Sequence, residues 1–288
     1  MKPLYIWAGG KNKMIPKYEL DPGIPLSGYD TYVEPFFGGG AMFLHVMETY
    51  KPKKVIVNDI NTELTNLYTA IKLDVDKFIE IVNKLQSKYI VLNKEDRKKY
   101  FYKVREEYGS DYKKWNVVEE AAHLYFLMKT AFNGIWQTTK ASGGRFATPA
   151  GLLNQKETVY DEELVRQWHA ILQNVTITNL DWRNVMKLYP ETSNSFYFLD
   201  PPYRGSFTSY SQVFNDQDQT DLVTFAKEVS NKSKVILCND DTGDGFIQSI
   251  KGSLQIETYN IKHTAGRRKT NEDGTKEAKD VSELAIHN

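Results

Sequence analysis

Ser195-Phe-Tyr-Phe-Leu-Asp-Pro-Pro-Tyr203 joins a short buried strand to a carboxylate, two prolines and an aromatic ring. Residues 195 to 199 are apolar or aromatic after Ser195, the pattern of a strand covered on both faces. Asp200 follows at the carboxyl end, which is where open α/β sheets bind ligands. By chance, Asp-Pro-Pro-Tyr occurs in a chain of 288 residues only on the order of once in a thousand. Without a ligand to hold, the same residues would be a proline-rich turn that ends a strand.

Similar runs flank this one along the chain. Thr31-Tyr-Val-Glu-Pro35 and Lys54-Val-Ile-Val-Asn58 are short and buried in pattern, each followed by a helical stretch. Val175-Thr-Ile-Thr-Asn179 and Lys234-Val-Ile-Leu-Cys238 repeat the theme, and Gln219 to Ser230 reads as one of the intervening helices. Leu254 to Ile261 and Val281 to His287 predict the last two strands. Strands alternating with helices predict an α/β fold, a Rossmann-like and mainly parallel seven-stranded sheet with helices on both faces.

The middle of the chain departs from this rhythm. Asp76 to Lys88, Lys94 to Tyr108 and Val117 to Phe132 have helical periodicity and no buried-strand run. Gly134 to Gly151 is rich in Gly, Thr and Ser and predicts a β-hairpin or a mobile loop. Residues 61–157 are therefore read as an inserted unit of helices and hairpin, within an α/β domain made of 1–60 and 158–288.

Composition narrows the class. Hydrophobic residues are 41% and charged residues 26%, an ordinary globular balance, and no apolar run is long enough to span a bilayer. No secretory signal is read at the N-terminus. Cys238 is the only cysteine, which excludes internal disulfides and multi-cysteine metal sites and suggests a reducing, cytoplasmic compartment. The net charge of zero argues, as a total, against a nucleic-acid binder. Its distribution points the other way. Met128 to Lys156 holds Lys129, Lys140, Arg145 and Lys156 with no acid, and Lys262 to Lys269 holds Lys262, Arg267, Arg268 and Lys269 with no acid. Such stretches fit either a local anionic partner or two solvated loops.

The motif at 200–203 has the chemistry of amine methylation. An adenine amino nitrogen is a poor nucleophile because its lone pair is delocalised into the ring. Two acceptors, one for each N–H, bias it towards a tetrahedral form. The Asp200 carboxylate supplies one and the Pro201 carbonyl the other, held in place by a ring that stiffens the backbone. Tyr203 offers a face for the base, and such stacking contributes ~1–3 kcal/mol. A base inside a duplex cannot reach this pocket and must be flipped out.

Two further motifs bear on a cofactor. Glu34-Pro35-Phe36-Phe37-Gly38-Gly39-Gly40 follows the first strand, and its glycines permit a tight turn and close approach of a ligand. It is neither a triphosphate loop nor a full Gly-x-Gly-x-x-Gly, and on its own it would serve a dinucleotide equally well. The second strand ends in Asn58-Asp59, where a carboxylate commonly binds ribose hydroxyls; the competing role for Asp59 is a helix N-cap. Trp7-Ala8-Gly9-Gly10-Lys11-Asn12-Lys13 suits a backbone wrapping a ligand that bears a carboxylate, or a plain N-terminal loop.

Together these motifs resemble the Dam-type family of DNA adenine-N6 methyltransferases. That family orders its parts as Trp-Ala-Gly-Gly-Lys, Phe-x-Gly-Gly-Gly, an inserted recognition domain, then Asp-Pro-Pro-Tyr, and the resemblance runs nearly the whole length. Phe132-Asn133-Gly134 and Gly144-Arg145-Phe146-Ala147-Thr148-Pro149-Ala150-Gly151 are similar to its recognition hairpin. Cys238-Asn239-Asp240-Asp241-Thr242 and Glu283 to His287 are similar to its later motifs. The resemblance implies a methyltransferase fold, S-adenosyl-L-methionine as methyl donor with S-adenosyl-L-homocysteine as product, no metal, and double-stranded DNA as partner of a monomer or of a dimer on DNA. It implies that Trp7, Ala8, Gly9, Gly10, Lys11, Pro35, Phe36, Phe37, Gly38, Gly39, Gly40, Asp59, Ile60, Asp181, Trp182 and Asp200 line the cofactor site. Asp200, Pro201, Pro202 and Tyr203 would hold the target base. Lys13, Asn133, Gln137, Lys140, Arg145, Arg267, Arg268 and Lys269 would meet the DNA. Members that methylate GATC often carry Lys before the N-terminal Trp and Arg three residues after Phe-Asn-Gly; here Ile6 and Gln137 stand there. GATC is the leading site, and glutamine pairs with adenine where arginine favours guanine.

Other readings stay open on the sequence. A cytosine-N4 methyltransferase shares the fold, usually with Ser in place of Asp200; an RNA adenine methyltransferase shares the core motifs; a non-enzymatic DNA-binding relative would keep only the scaffold. Direct transfer needs no covalent intermediate, so Cys238 is not read as a nucleophile. His45, His123, His169, His263 and His287 show no zinc-type spacing. Tyr89, Tyr100, Tyr102, Tyr108 and Tyr112 form no stripe and are read as packing residues.

Overall fold

The computed structural model describes the chain apart from residues 8, 22, 23, 25, 112, 113, 156, 189–193, 205–213, 264–268, 271–275 and 278; at 111, 140, 261–263, 269, 270, 276, 277 and 279–281 it describes the backbone alone. Strands β1 (Thr31–Glu34), β2 (Lys54–Asn58), β3 (Val175–Thr178), β4 (Ser195–Leu199), β5 (Lys234–Asp240), β6 (Gln255–His263) and β9 (Lys279–His287) make one sheet in the order β3-β2-β1-β4-β5-β9-β6. The short strands β7 (Lys269–Thr270) and β8 (Lys276–Glu277) pair with each other. β3, β2, β1, β4 and β5 are parallel, and β9 runs antiparallel to both β5 and β6.

Period-two alternation sends neighbouring side chains to opposite faces of this sheet. Tyr32, Val55, Val57, Phe196, Phe198, Ile236 and Cys238 enter one buried cluster. Val33, Ile56, Tyr197, Leu199, Val235 and Leu237 enter the other. Helices α1 (Ile15–Leu20), α2 (Ala41–Thr49), α3 (Thr62–Leu73) and α7 (Glu162–Leu172) cover the first face. Helices α8 (Trp182–Leu188), α9 (Asp216–Val229) and α10 (Phe246–Ile250) cover the second. Both faces are therefore roofed, as a parallel sheet requires.

Between α3 and α7 run the helices α4 (Val75–Ile90), α5 (Lys94–Asp111) and α6 (Val117–Thr130). Their starts are set locally: the Asp74 side chain caps α4, and Asn116 with Glu119 forms a capping box on α6. Their apolar faces join the same buried cluster as α2 and α7, so Phe78, Tyr125 and Trp168 belong to one core.

Two expectations change in detail. The segment 134–151 is not a regular hairpin: its cross-strand contacts are the isolated bridges Ala131 to Ala150 and Thr138 to Phe146, with 3₁₀ turns at Phe132–Gly134 and Lys140–Ser142. Left-handed residues at Asn133, Gly134, Gly143 and Gly144 interrupt extended backbone, and the Gln137 N–H donates to the Thr148 hydroxyl (3.1 Å) rather than to a ladder carbonyl. β6 and β9 each run two residues further than their apolar runs. They pair with each other from Gln255–His287 to His263–Lys279, so backbone bonding carries them past the apolar residues.

Candidate active site

β1 lies between β2 and β4, and the chain winds away from it in both directions. The carboxyl ends part at this switch point, where such sheets bind ligands. A cavity of about 1050 Å³ opens there. Glu34 to Gly40 enter it from β1, Asn58 and Asp59 from β2, and Asp200 to Tyr203 from β4. Trp7, Gly9, Gly10 and Lys11 close it from the N-terminal segment, and Trp136 and Gln137 from the inserted segment.

The glycines after β1 are required by what packs on them. Gly38 has φ +47, and a Cβ there would stand 2.5 Å from Trp7 Nε1. The Gly38 carbonyl accepts from both the Tyr5 and Tyr68 hydroxyls (2.9 Å each). Its N–H donates to Asp59 Oδ2 at 2.8 Å, while Asp59 Oδ1 accepts from the Asn61 N–H at 2.9 Å. The N-cap of α3 is Asn61, whose side chain accepts from the Glu63 N–H, so Asp59 is not the cap. Burial pushes the Asp59 carboxyl up to about 6, against the two backbone N–H groups that hold it down.

Asp200 is aimed by Lys11. The Lys11 ammonium, on the 3₁₀ turn Lys11–Lys13, lies 2.7 Å from Asp200 Oδ2 and 3.7 Å from Glu283 Oε1, and donates to the Gly9 carbonyl at 3.0 Å. Burial works against its charge, but the carboxylates of Asp200 and Glu283 outweigh that and raise its pKa above the usual lysine range. Asp200 is 21% exposed, and among the described residues no group donates to its other oxygen, Oδ1. Pro201 borders the same cavity, and no described residue donates to its carbonyl, while the Pro202 carbonyl accepts from Gln219 Nε2 at 3.0 Å. The Tyr203 hydroxyl donates to Glu283 Oε1 (3.1 Å), and the Lys11 ammonium stands 4.9 Å from the centre of its ring. Tyr18 donates to the same Glu283 oxygen at 3.4 Å.

The remaining cofactor candidates line the cavity's far wall. Trp182 is buried between Phe36 (ring centres 6.3 Å apart) and Phe225 (6.4 Å). Asp181 accepts from the Arg183 N–H at 2.9 Å, and the Arg183 guanidinium pairs with Asp218 and Asp221, each at 2.7 Å. Phe37, Gly39 and Gly40 complete the turn, and Ile60 is exposed at its rim.

The expected DNA contacts divide. Arg267 and Arg268 lie outside the described residues, as does the cofactor candidate Ala8, and only the backbone of Lys140 and Lys269 is described. Lys13, Asn133 and Gln137 are exposed, with Gln137 on the cavity wall and Asn133 left-handed at φ +54. Arg145 is placed otherwise than the sequence suggests. Its guanidinium lies 2.7 Å from Glu120 and 3.7 Å from Glu63, stacked 4.5 Å over the Tyr108 ring, with 17% of the side chain exposed. Two carboxylates and a ring already hold the charge that was expected to reach DNA.

The sequence reading missed three carboxylates. Glu34, buried and bonded by the Tyr32 hydroxyl (2.9 Å), floors the cavity, and burial pushes its carboxyl well above the usual range. Glu283 anchors Lys11 and Tyr203. Glu63, 6% exposed, accepts from Tyr108, Trp136 and the Phe146 N–H. The signal for Glu34 was a carboxylate closing a short buried strand; Glu283 lies in a strand of mixed polarity and Glu63 at a helix start, and neither had a distinct local signal. Tyr89 and Tyr108 are core residues, and His123 stacks on Trp115 at 4.0 Å.

A seven-stranded sheet of this order with one reversed strand, opened at its switch point beside Asp-Pro-Pro-Tyr, defines a Rossmann-like methyltransferase fold. Residues 7–270 match the family model of D12 class N6 adenine-specific DNA methyltransferases, and the chain belongs to that family. It is 34% identical over 297 residues to Type II methyltransferase M.MjaIII of Methanocaldococcus jannaschii, covering 100% of this chain and 99% of that one. Type II methyltransferase M.CviBI of Paramecium bursaria Chlorella virus NC1A is 31% identical, covering 93% of this chain and 94% of its own. The DNA adenine methylase of Serratia marcescens is 26% identical, covering 92% and 94%. The protein is thus an adenine-specific DNA methyltransferase.

Proposed function

We propose that the chain transfers a methyl group from S-adenosyl-L-methionine to N6 of an adenine extruded from double-stranded DNA. The observation that carries this is the half-satisfied Asp200: Lys11 fixes Oδ2, Asp200 and Pro201 both line the cavity, and no described group donates to Oδ1 or to the Pro201 carbonyl. An amino group has two N–H bonds to place, and two preset acceptors favour the form whose lone pair is free. Tyr203, tethered by Glu283, supports the base by stacking. Orientation and acceptors facing the positive charge that grows on nitrogen supply the catalysis.

The donor's chemistry fits the cavity. Asp59, Asp181, Asp200, Asp218 and Asp240 line it, and of the cations in the same wall Lys2, Lys11 and Arg183 pair with carboxylates while Lys129 donates to the Leu4 carbonyl. Such a lining suits a sulfonium cation better than a dinucleotide's pyrophosphate, the alternative that the glycine turn alone leaves open. When bound, the donor supplies an electrophilic methyl. Asp59 would hold the ribose hydroxyls, the backbone around Gly38 would allow close approach, and Trp182 with Phe36 would bound the nucleoside.

Residues 61–157 form the proposed target-recognition unit, with Asn133 and Gln137 towards bases and Lys13, Lys140, Arg267, Arg268 and Lys269 towards phosphate. GATC heads the candidate sites. The working unit proposed is a monomer in the cytoplasm; among the described residues no helix is long and apolar enough to cross a membrane. The test uses Asp200→Ala with labelled donor and duplex DNA. Turnover at saturating donor should fall at least ~100-fold. Wild-type turnover would refute the assignment of the acceptor, and sequencing the modified adenines identifies the site.

A further inference from the structure

We propose that Glu63 is a positioning residue that couples cofactor binding to the placement of the recognition segment. The proposal rests on the reading above, in which the cavity takes the cofactor and residues 131–151 meet DNA. Its ground is a closed ring of contacts. The Gly38 N–H donates to Asp59 Oδ2 (2.8 Å), the Asn61 N–H to Asp59 Oδ1 (2.9 Å), and the Glu63 N–H to the Asn61 side chain (3.0 Å). Glu63 Oε2 then accepts from Trp136 Nε1 at 2.9 Å. The Trp136 ring lies 6.4 Å from the Trp7 ring, and Trp7 packs on Gly38, which closes the ring.

Glu63 also grips the far side of the segment. The Phe146 N–H donates to both of its oxygens (3.2 and 3.1 Å), and the Tyr108 hydroxyl on α5 donates to Oε1 (2.5 Å). A buried carboxylate is costly without donors, so these three elements are held to it together. Only three residues of chain, 60 to 62, separate Asp59 from Glu63. A cofactor that orders Asp59 and the Gly38 turn therefore orders the start of α3, and with it both arms of the recognition segment.

The experiment measures duplex affinity with and without S-adenosyl-L-homocysteine for the full-length wild type, Glu63→Gln and Trp136→Phe. The duplex carries the site identified by sequencing. Glutamine keeps one acceptor oxygen and points an amide N–H at a remaining donor; phenylalanine keeps a ring beside Trp7 and deletes one donor. In wild type S-adenosyl-L-homocysteine should tighten DNA binding by ~5-fold or more. In both variants that factor should fall below about twofold, with the affinity of free Glu63→Gln for S-adenosyl-L-homocysteine within about twofold of wild type. A factor near one in wild type, or an undiminished factor in either variant that melts cooperatively, overturns the proposal. Failure of wild type to bind S-adenosyl-L-homocysteine at all would instead overturn the functional reading beneath it.

Discussion

Lys11 shows how one side chain changes meaning between sequence and structure. In sequence it is a cation after two glycines, suited to a ligand's carboxylate. In the fold its ammonium is 4% exposed and shared by Asp200 and Glu283, which stand 189 and 272 positions away. Burying that charge is tolerable only because partners surround it, so its position, and Asp200 with it, is set by β4 and β9 rather than by its neighbours in the chain. Asp59 gives a pH prediction at the same scale. Its pKa is raised to about 6 by burial, and in its proposed role the ionised form accepts from ribose hydroxyls. Cofactor binding should therefore be full above that value and weaken as pH falls through it, because the group must lose its proton to bind. Between pH 6 and pH 5 the affinity should drop several-fold, approaching tenfold per unit at lower pH. Calorimetric titration across this range checks it, and Asp59→Asn should flatten the profile.

Among the elements, the turn from β1 into α2 was the most legible and the segment 134–151 the least. Gly38 to Gly40 announced a tight turn because glycine alone enters left-handed backbone cheaply. The sequence did not show that aromatic rings fill the space above them. Gly40 has φ +68, and a Cβ there would stand 2.9 Å from both Phe37 Cζ and Trp168 Cη2. Gly40→Ala should lose about 1–3 kcal/mol to overpacking and about 1 more to the left-handed conformation, read from denaturant midpoints. Gly109 in α5 is the control: its φ is not positive and nothing lies within 4 Å of an added Cβ. Gly109→Ala should be neutral or stabilising by about 0.5–1 kcal/mol. The segment 134–151 reads equally as hairpin or loop because side chains stand in for ladder partners, the Thr148 hydroxyl from across the segment and the Glu63 carboxylate from α3. A local pattern carries no trace of such partners.

Over the whole molecule, a neutral total conceals a division of charge. Carboxylates outnumber cations in the cavity wall, even with Lys129 of the basic stretch 128–156 among the lining residues, and a second basic stretch runs from 262 to 269 in the sequence. If the second stretch meets phosphate, replacing Arg267 and Arg268 by Ala should weaken DNA binding and lower the slope of log affinity against log salt by about 2. An unchanged slope, measured by anisotropy across a salt series, would remove these residues from the interface. Arg145 stands as the counterexample, since Glu120 and Glu63 already hold it. The α/β class, most strand positions and the Asp-Pro-Pro-Tyr motif were readable from the chain alone, because period-two burial and proline geometry act within a few residues. The order of the strands, the pairing of Lys11 with Asp200 and Glu283, and the Glu63 hub were settled only by folding. A buried charge takes its partners from whichever elements the sheet brings beside it, and that adjacency is written nowhere in the local sequence.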